Sequence, residues 1–315
     1  MEELPITGYL GEAARNEQKA TLKSLAPGKR LQSRPWTTQP TPMTFLKKLQ
    51  NIQRAHQSLL CIGLDVDPDR IPSHLASSGN PVLEFNRQII EATHDLVCAY
   101  KLNLAFYEAL GEDGWRIVSE TLRLIPPQII TIGDGKRGDI GNTSERYAKA
   151  LFEDFAFDSA TVHPYMGYDS IEPFLRKSNR CAFVLVLTSN EGSRDFQRLT
   201  IAGKPLYERI AQAAAKWNTR KNIGLVVGAT HPDELEPIRR IAPDMPFLIP
   251  GVGKQGGDLD SAVRYGCNSN GELAIINAGR SILFASTGKD FAKAARKEAS
   301  RLQNRMARIQ QKYFG

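Results

Sequence analysis

Cysteine is scarce: four residues, Cys61, Cys98, Cys181 and Cys267, are spread over 315 positions with no CxxC pair. That spacing excludes a disulfide framework and the usual zinc motifs. Three of the four sit in apolar, strand-like runs, which predicts small buried thiols in a reducing, cytoplasmic compartment. No apolar run is long enough to cross a membrane. The chain also lacks a GxGxxG after its first strand-like segment, the paired aromatics of an RNA-recognition module, a KH loop and zinc-finger spacing. Hydrophobic content of 41% and charged content of 24% are nevertheless ordinary for a soluble globular protein.

The formal charge of +7 is unevenly placed. From Lys289 to Lys312 there are eight basic side chains, Lys289, Lys293, Arg296, Lys297, Arg301, Arg305, Arg308 and Lys312, against Asp290 and Glu298. The rest of the chain is close to neutral. The segment 289–315 is expected to be a C-terminal helix with a basic solvated face, so no nucleic-acid partner is expected. At the other end, residues 1–43 show no sustained periodicity, and Ala26 to Pro42 is rich in Pro, Thr, Gln and Arg. A flexible arm is expected there. Glu2, Glu3, Glu12 and Glu17 argue against a transit peptide.

Between these ends, apolar runs alternate with helical patterns. Strands are predicted over 60–66, 99–104, 129–133, 159–163, 182–188, 224–228, 246–250 and 274–278. Helices are predicted over 81–97, 112–125, 144–155, 204–217, 231–241 and 258–265. Continuous rather than alternating apolar strands mean burial on both faces. Eight such βα units in about 250 residues predict an α/β fold, a single (β/α)8 TIM barrel over 44–288.

Active sites of such barrels lie at the C-terminal ends of the strands, and there the charged and polar residues converge. Asp65 and Asp67 follow the first strand, Lys101 and Asn103 belong to the second, and Asp134, Lys136 and Asp139 follow the third. His163 follows the fourth and reads as a structural rim residue; Thr188, Ser189 and Asn190 follow the fifth. Alternation along an extended chain turns Asp134 and Lys136 the same way and Arg137 the other. Asn142 with Glu145 three residues on predicts a capping box at a helix start. After the last two strands come Pro250-Gly251-Val252-Gly253-Lys254-Gln255-Gly256-Gly257 and Gly279-Arg280-Ser281. Glycines that admit backbone N–H groups, a helix start and a guanidinium predict a phosphate site. Lys254 can be read as a solvated loop residue.

Taken in order, Leu64-Asp65-Val66-Asp67-Pro68, Tyr100-Lys101-Leu102-Asn103, Asp134 through Thr143, Thr188-Ser189-Asn190, Pro250 through Gly257 and Gly279-Arg280-Ser281 resemble the orotidine 5'-phosphate decarboxylases, in the longer form common in bacteria. The resemblance spans roughly Phe45 to Ser286. It implies decarboxylation of orotidine 5'-monophosphate to UMP, the last step of de novo pyrimidine synthesis, without metal or cofactor. It further implies Lys136 as proton donor, Asp134 beside the substrate carboxylate, and Asp139 with Thr143 reaching a neighbouring site across a homodimer. Asp65 and Lys101 would meet the ribose and Ser189 the pyrimidine. Pro250, Gln255, Gly279 and Arg280 would complete the substrate site at the phosphate.

Three other readings stay open on sequence. One is a sugar-phosphate decarboxylase or aldolase of the same superfamily, which holds Mg²⁺ partly through an acid at the end of strand two, where Lys101 stands here. The others are a non-catalytic phosphate binder or an RNA binder using the tail, and an inactive homologue. The terminal extensions also leave open a junction to orotate phosphoribosyltransferase, although nothing here resembles that enzyme's phosphoribosyl-diphosphate loop.

Overall fold

The computed structural model describes residues 43–228, 232–251 and 258–315. The expected arm, Lys254 and Gln255 therefore lie outside the described residues. Eight strands carry the fold: β1 (Leu60–Gly63), β2 (Ala99–Asn103), β3 (Ile130–Arg137), β4 (Ser159–Val162), β5 (Cys181–Leu187), β6 (Ile223–Val227), β7 (Phe247–Ile249) and β8 (Ala274–Ala278). All pair in parallel, each with its neighbour in sequence, and β8 closes on β1 through Leu60↔Ile276. The expected TIM barrel is present. Its strands are buried on both faces, as in β6, where all five residues are buried. All four cysteines are buried and free.

Helix α1 (Phe45–His56) precedes the barrel and lies across its N-terminal mouth. Its Lys48 Nζ sits 2.7 Å from Asp158, just before β4, and its Gln53 amide donates to Ala274 O on β8 at 2.7 Å and accepts from Leu273 N at 3.0 Å. Helices α2 (Pro81–Thr93), α3 (Glu112–Leu124), α4 (Gly141–Lys149), α5 (Leu206–Trp217), α6 (Pro232–Ile241) and α7 (Leu259–Gly266) follow β1, β2, β3, β5, β6 and β7, while β4 is followed by a single helical turn at Tyr168–Ile171. Asn80 caps α2 by accepting from Leu83 N at 3.0 Å, with Pro81 at the first helical position. Asp258 caps α7.

One sequence expectation changes. Helix α4 begins at Gly141 and no side chain caps it. Asn142 thus lies inside the first turn, where its side chain cannot reach the N–H groups a cap serves, and Glu145 pairs with Arg176 instead. After the short helix α8 (Arg280–Leu283), α9 (Phe291–Phe314) buries Phe291, Ala295, Ala299, Leu302, Met306 and Ile309, spaced three or four apart. Phe291 stacks on Phe85 of α2 at 5.0 Å, and Tyr313 donates to Asp260 of α7. The basic residues occupy the solvated face of a helix whose other face packs against α2 and α7.

Candidate active site

A cavity of about 340 Å³ opens at the C-terminal ends of the strands. Asp65 and Lys101 line it from β1 and β2, Asp134 and Lys136 from β3, and Ser189, Pro250, Gly279 and Arg280 from the loops after β5, β7 and β8. Leu185, Val226 and Leu248 give it an apolar wall against which a planar ring can lie.

Its charges form a chain. Lys101 Nζ stands 3.3 Å from Asp65 Oδ1 and 2.9 Å from Asp134 Oδ2, and Lys136 Nζ stands 2.8 Å from Asp134 Oδ1. Burial pushes the Asp134 carboxyl up, but Lys101 and Lys136 outweigh it and hold the group well below the usual carboxylate range. Burial pushes the Lys101 ammonium down, and Asp65 with Asp134 more than reverses that, so it stays charged above its ordinary value. Lys101 is buried, whereas the Lys136 side chain is 48% exposed, with Asp134 as its one ionic partner among the described residues. The outer lysine is the one placed to meet a ligand.

A bulge aims it. The β3–β4 register runs Gly133↔Ala160 and then Arg137↔Val162, so Asp134, Gly135 and Lys136 stand opposite Thr161 alone. Lys136 takes φ 45°, a left-handed conformation costing a non-glycine residue on the order of 1 kcal/mol. Its N–H has no ladder carbonyl to reach and donates to Thr161 Oγ1 at 2.9 Å, while that hydroxyl donates to Asp134 Oδ1 at 2.8 Å. Arg137 turns away to pair with Glu108 and lie over Tyr147, as alternation predicted. His163 does not line the cavity; it packs on Gly138, where a Cβ would sit 2.1 Å from its Nε2.

The rim formed by the loops after β7 and β8 is partly described. Arg280 opens α8 exposed at the cavity rim, its side chain making no hydrogen bond or ion pair among the described residues. Gly251, at φ 95°, lines the same end. Ser189 packs on Gly228, where a Cβ would come 2.9 Å from its backbone nitrogen. Within one chain Asp139 and Thr143 do not reach the cavity: the Asp139 carboxylate accepts from Ile140 N at 2.8 Å, and Thr143 is exposed on α4.

Comparison with known proteins agrees with this architecture. Residues 58–297 match the model of the orotidine 5'-phosphate decarboxylase / HUMPS family. The chain belongs to that family. An orotidine 5'-phosphate decarboxylase of Dehalococcoides mccartyi is 52% identical over 266 residues, covering 83% of this chain and 97% of that protein. Among solved structures, the OMP decarboxylase of Leishmania donovani aligns with TM-score 0.73 and 36% identity over 84% of this chain and 99% of that one. The UMP synthase of the same organism aligns with TM-score 0.74 and 38% identity, with this chain spanning 57% of that longer protein.

Around the cavity, sequence reasoning passed over several residues. Thr161 carried no signal, because a threonine inside a buried strand reads as a strand former. Gln197, from a short helix after β5, brackets Thr188 with bonds of 2.8 Å to its N–H and hydroxyl, and nothing in its neighbourhood marked it. Asn277 lines the cavity with a buried Oδ1 that has no hydrogen-bond partner among the described residues. Its place two residues before Gly279 could have singled it out.

Proposed function

We infer that this chain is a carboxy-lyase that converts orotidine 5'-monophosphate to UMP in pyrimidine biosynthesis, with Lys136 as the proton donor. The observation that carries the reading is the half-exposed Lys136 ammonium held 2.8 Å from a buried, ionised Asp134 at the cavity wall. Loss of CO2 leaves an electron pair at C6 with no adjacent carbonyl to accept it, so a cation fixed beside that carbon stabilises the transition state and then supplies the proton. Asp134, fixed by Lys101, Lys136 and Thr161, would lie beside the departing carboxylate, where like charges oppose one another. Asp65 and Lys101 would hold the ribose, and Ser189 with the apolar wall the pyrimidine. Pro250, Gln255, Gly279 and Arg280 would hold the phosphate, whose binding energy orders the site although it lies far from the reacting carbon.

Asp139 and Thr143 would serve the site of a second copy in a homodimer. Ile140, 59% exposed beside Asp139, and Tyr165, 92% exposed after the adjacent β4, supply apolar surface for that contact. Mixing Lys136→Ala and Asp139→Ala proteins under exchanging conditions is expected to restore part of the activity, read as UMP formed. No recovery rejects the shared site. A cytoplasmic location is proposed on the four free, buried cysteines, as expected of a reducing compartment; no helix among the described residues is long and apolar enough to cross a membrane.

The direct test is loss of the substrate's ultraviolet absorbance on mixing with the protein in EDTA. Conversion to UMP is expected with the chelator present, because the Lys101 ammonium already neutralises the acids that a divalent ion would seek. Failure, with a sugar phosphate turned over once Mg²⁺ is supplied, moves the chain to the other branch of its family.

A further inference from the structure

We propose that Thr161 is a positioning residue for the reaction, its hydroxyl setting both the backbone of Lys136 and the carboxylate of Asp134. This rests on the reading of Lys136 as proton donor. Thr161 lies on β4, 1% exposed, at the one place where the β3–β4 ladder is interrupted. A hydroxyl offers one proton and accepts through its lone pairs. Because it accepts the Lys136 N–H, its proton is free to be directed elsewhere, and it lies 2.8 Å from Asp134 Oδ1, the oxygen that also meets Lys136 Nζ. One buried group thus joins the two ends of a three-residue bulge. It holds Lys136 in a backbone conformation that side chains disfavour, and it fixes the rotation of the carboxylate against which the ammonium rests. Lys101 orders Asp134 only through the other oxygen, Oδ2. Removing the hydroxyl leaves each charge in place and loosens their mutual aim, a small displacement to which a reacting centre is sensitive.

Thr161→Val, nearly isosteric, tests this beside Thr161→Ser, which keeps the hydroxyl. For Thr161→Val, kcat is expected to fall roughly 10- to 100-fold, the loss of a hydrogen bond to a charged group. KM for orotidine 5'-monophosphate should stay within about threefold, since no ligand contact is removed. The acid limb of the kcat profile should move to higher pH, because a donor favouring ionised Asp134 has gone. Thr161→Ser should restore most of kcat. Hydrogen exchange of the Lys136 amide supplies a readout that needs no turnover: faster in Thr161→Val, protected in wild type and Thr161→Ser. If wild type turns the nucleotide over and Thr161→Val does so equally well with an unmoved profile, the positioning role is overturned and the decarboxylase reading stands. Loss in Thr161→Val that Thr161→Ser does not rescue likewise overturns it, as packing alone. If wild type does not act on this nucleotide, the decarboxylase reading fails, and the amide exchange decides whether Thr161 sets the loop.

Discussion

The two ends of the barrel carry the same device put to different uses. At the N-terminal mouth, the Thr131 hydroxyl accepts from Asp158 N and donates to Asp158 Oδ2, and Lys48 Nζ lies 2.7 Å from both carboxylate oxygens. At the C-terminal mouth, the Thr161 hydroxyl accepts from Lys136 N and donates to Asp134 Oδ1, beside Lys136 Nζ. The lower carboxylate is saturated: Thr131 N donates to it as well, at 2.9 Å. Its lysine is held by both oxygens at once. The upper lysine touches one carboxylate oxygen and is half exposed over a cavity. A threonine–aspartate–lysine cluster is structural when its donors are used up and chemical when one of them still faces a ligand.

Substituting the two lysines separates these roles. Lys136→Ala is expected to reduce turnover on the order of 10⁴-fold or more, from combined loss of proton donor and cation, with UMP binding and melting temperature nearly unchanged. A fully active variant would sink the mechanism. Lys48→Met should do the reverse. It leaves Asp158 with only the more distant Arg180, 3.7 Å away, as a cation, costing about 2 kcal/mol of stability by denaturant unfolding, with kcat intact. A loss of kcat at unchanged stability would erase the distinction between the two mouths.

A smaller effect belongs to the rim proposed to hold the phosphate. Arg280→Ala should raise KM by roughly 30- to 150-fold, the value of a charged hydrogen bond of about 2–3 kcal/mol, with kcat less affected. A near-normal KM rejects the assignment. The smallest is a pH effect. The Asp134 pKa is depressed in the fold, so its contribution to stability is present above the ordinary carboxylate range, near pH 4, and is lost as pH falls through the depressed value. In Lys101→Met, burial of Asp134 is opposed only by Lys136 and the Thr161 hydroxyl, and the acid-induced loss of stability should begin at higher pH. An unmoved acid transition would mean that Lys101 does not set the charge of Asp134.

Much of this was legible in the chain because it is local. Apolar runs marked all eight strands within a few residues, and their order placed Asp65, Lys101, Asp134, Lys136, Ser189 and Arg280 on one rim. Alternation turned Arg137 correctly outward. It also paired Asp134 with Lys136, though by a route it does not describe: β3 runs to Arg137 with a bulge, and a left-handed Lys136, not an ideal pleat, brings the two groups together. The capping box at Asn142 failed because the chain enters α4 two residues earlier, with Ile140 at the cap position and Gly141 at φ 53°. The tail showed its charge to inspection, while its buried stripe, Phe291 to Ile309, is explained only by the helices it packs against.

By itself, then, the sequence determined the periodicities, and with them eight βα units, a barrel and the inventory of charges at its active end, since those depend on neighbours within a few residues. The tertiary structure alone decided which of two similar lysines is saturated and which faces the cavity, that Thr161 rather than a backbone carbonyl receives the Lys136 N–H, and that Lys101 serves two carboxylates at once. Those pairings join residues up to 110 positions apart, and a hydrogen bond exists only where folding brings donor and acceptor within about 3 Å.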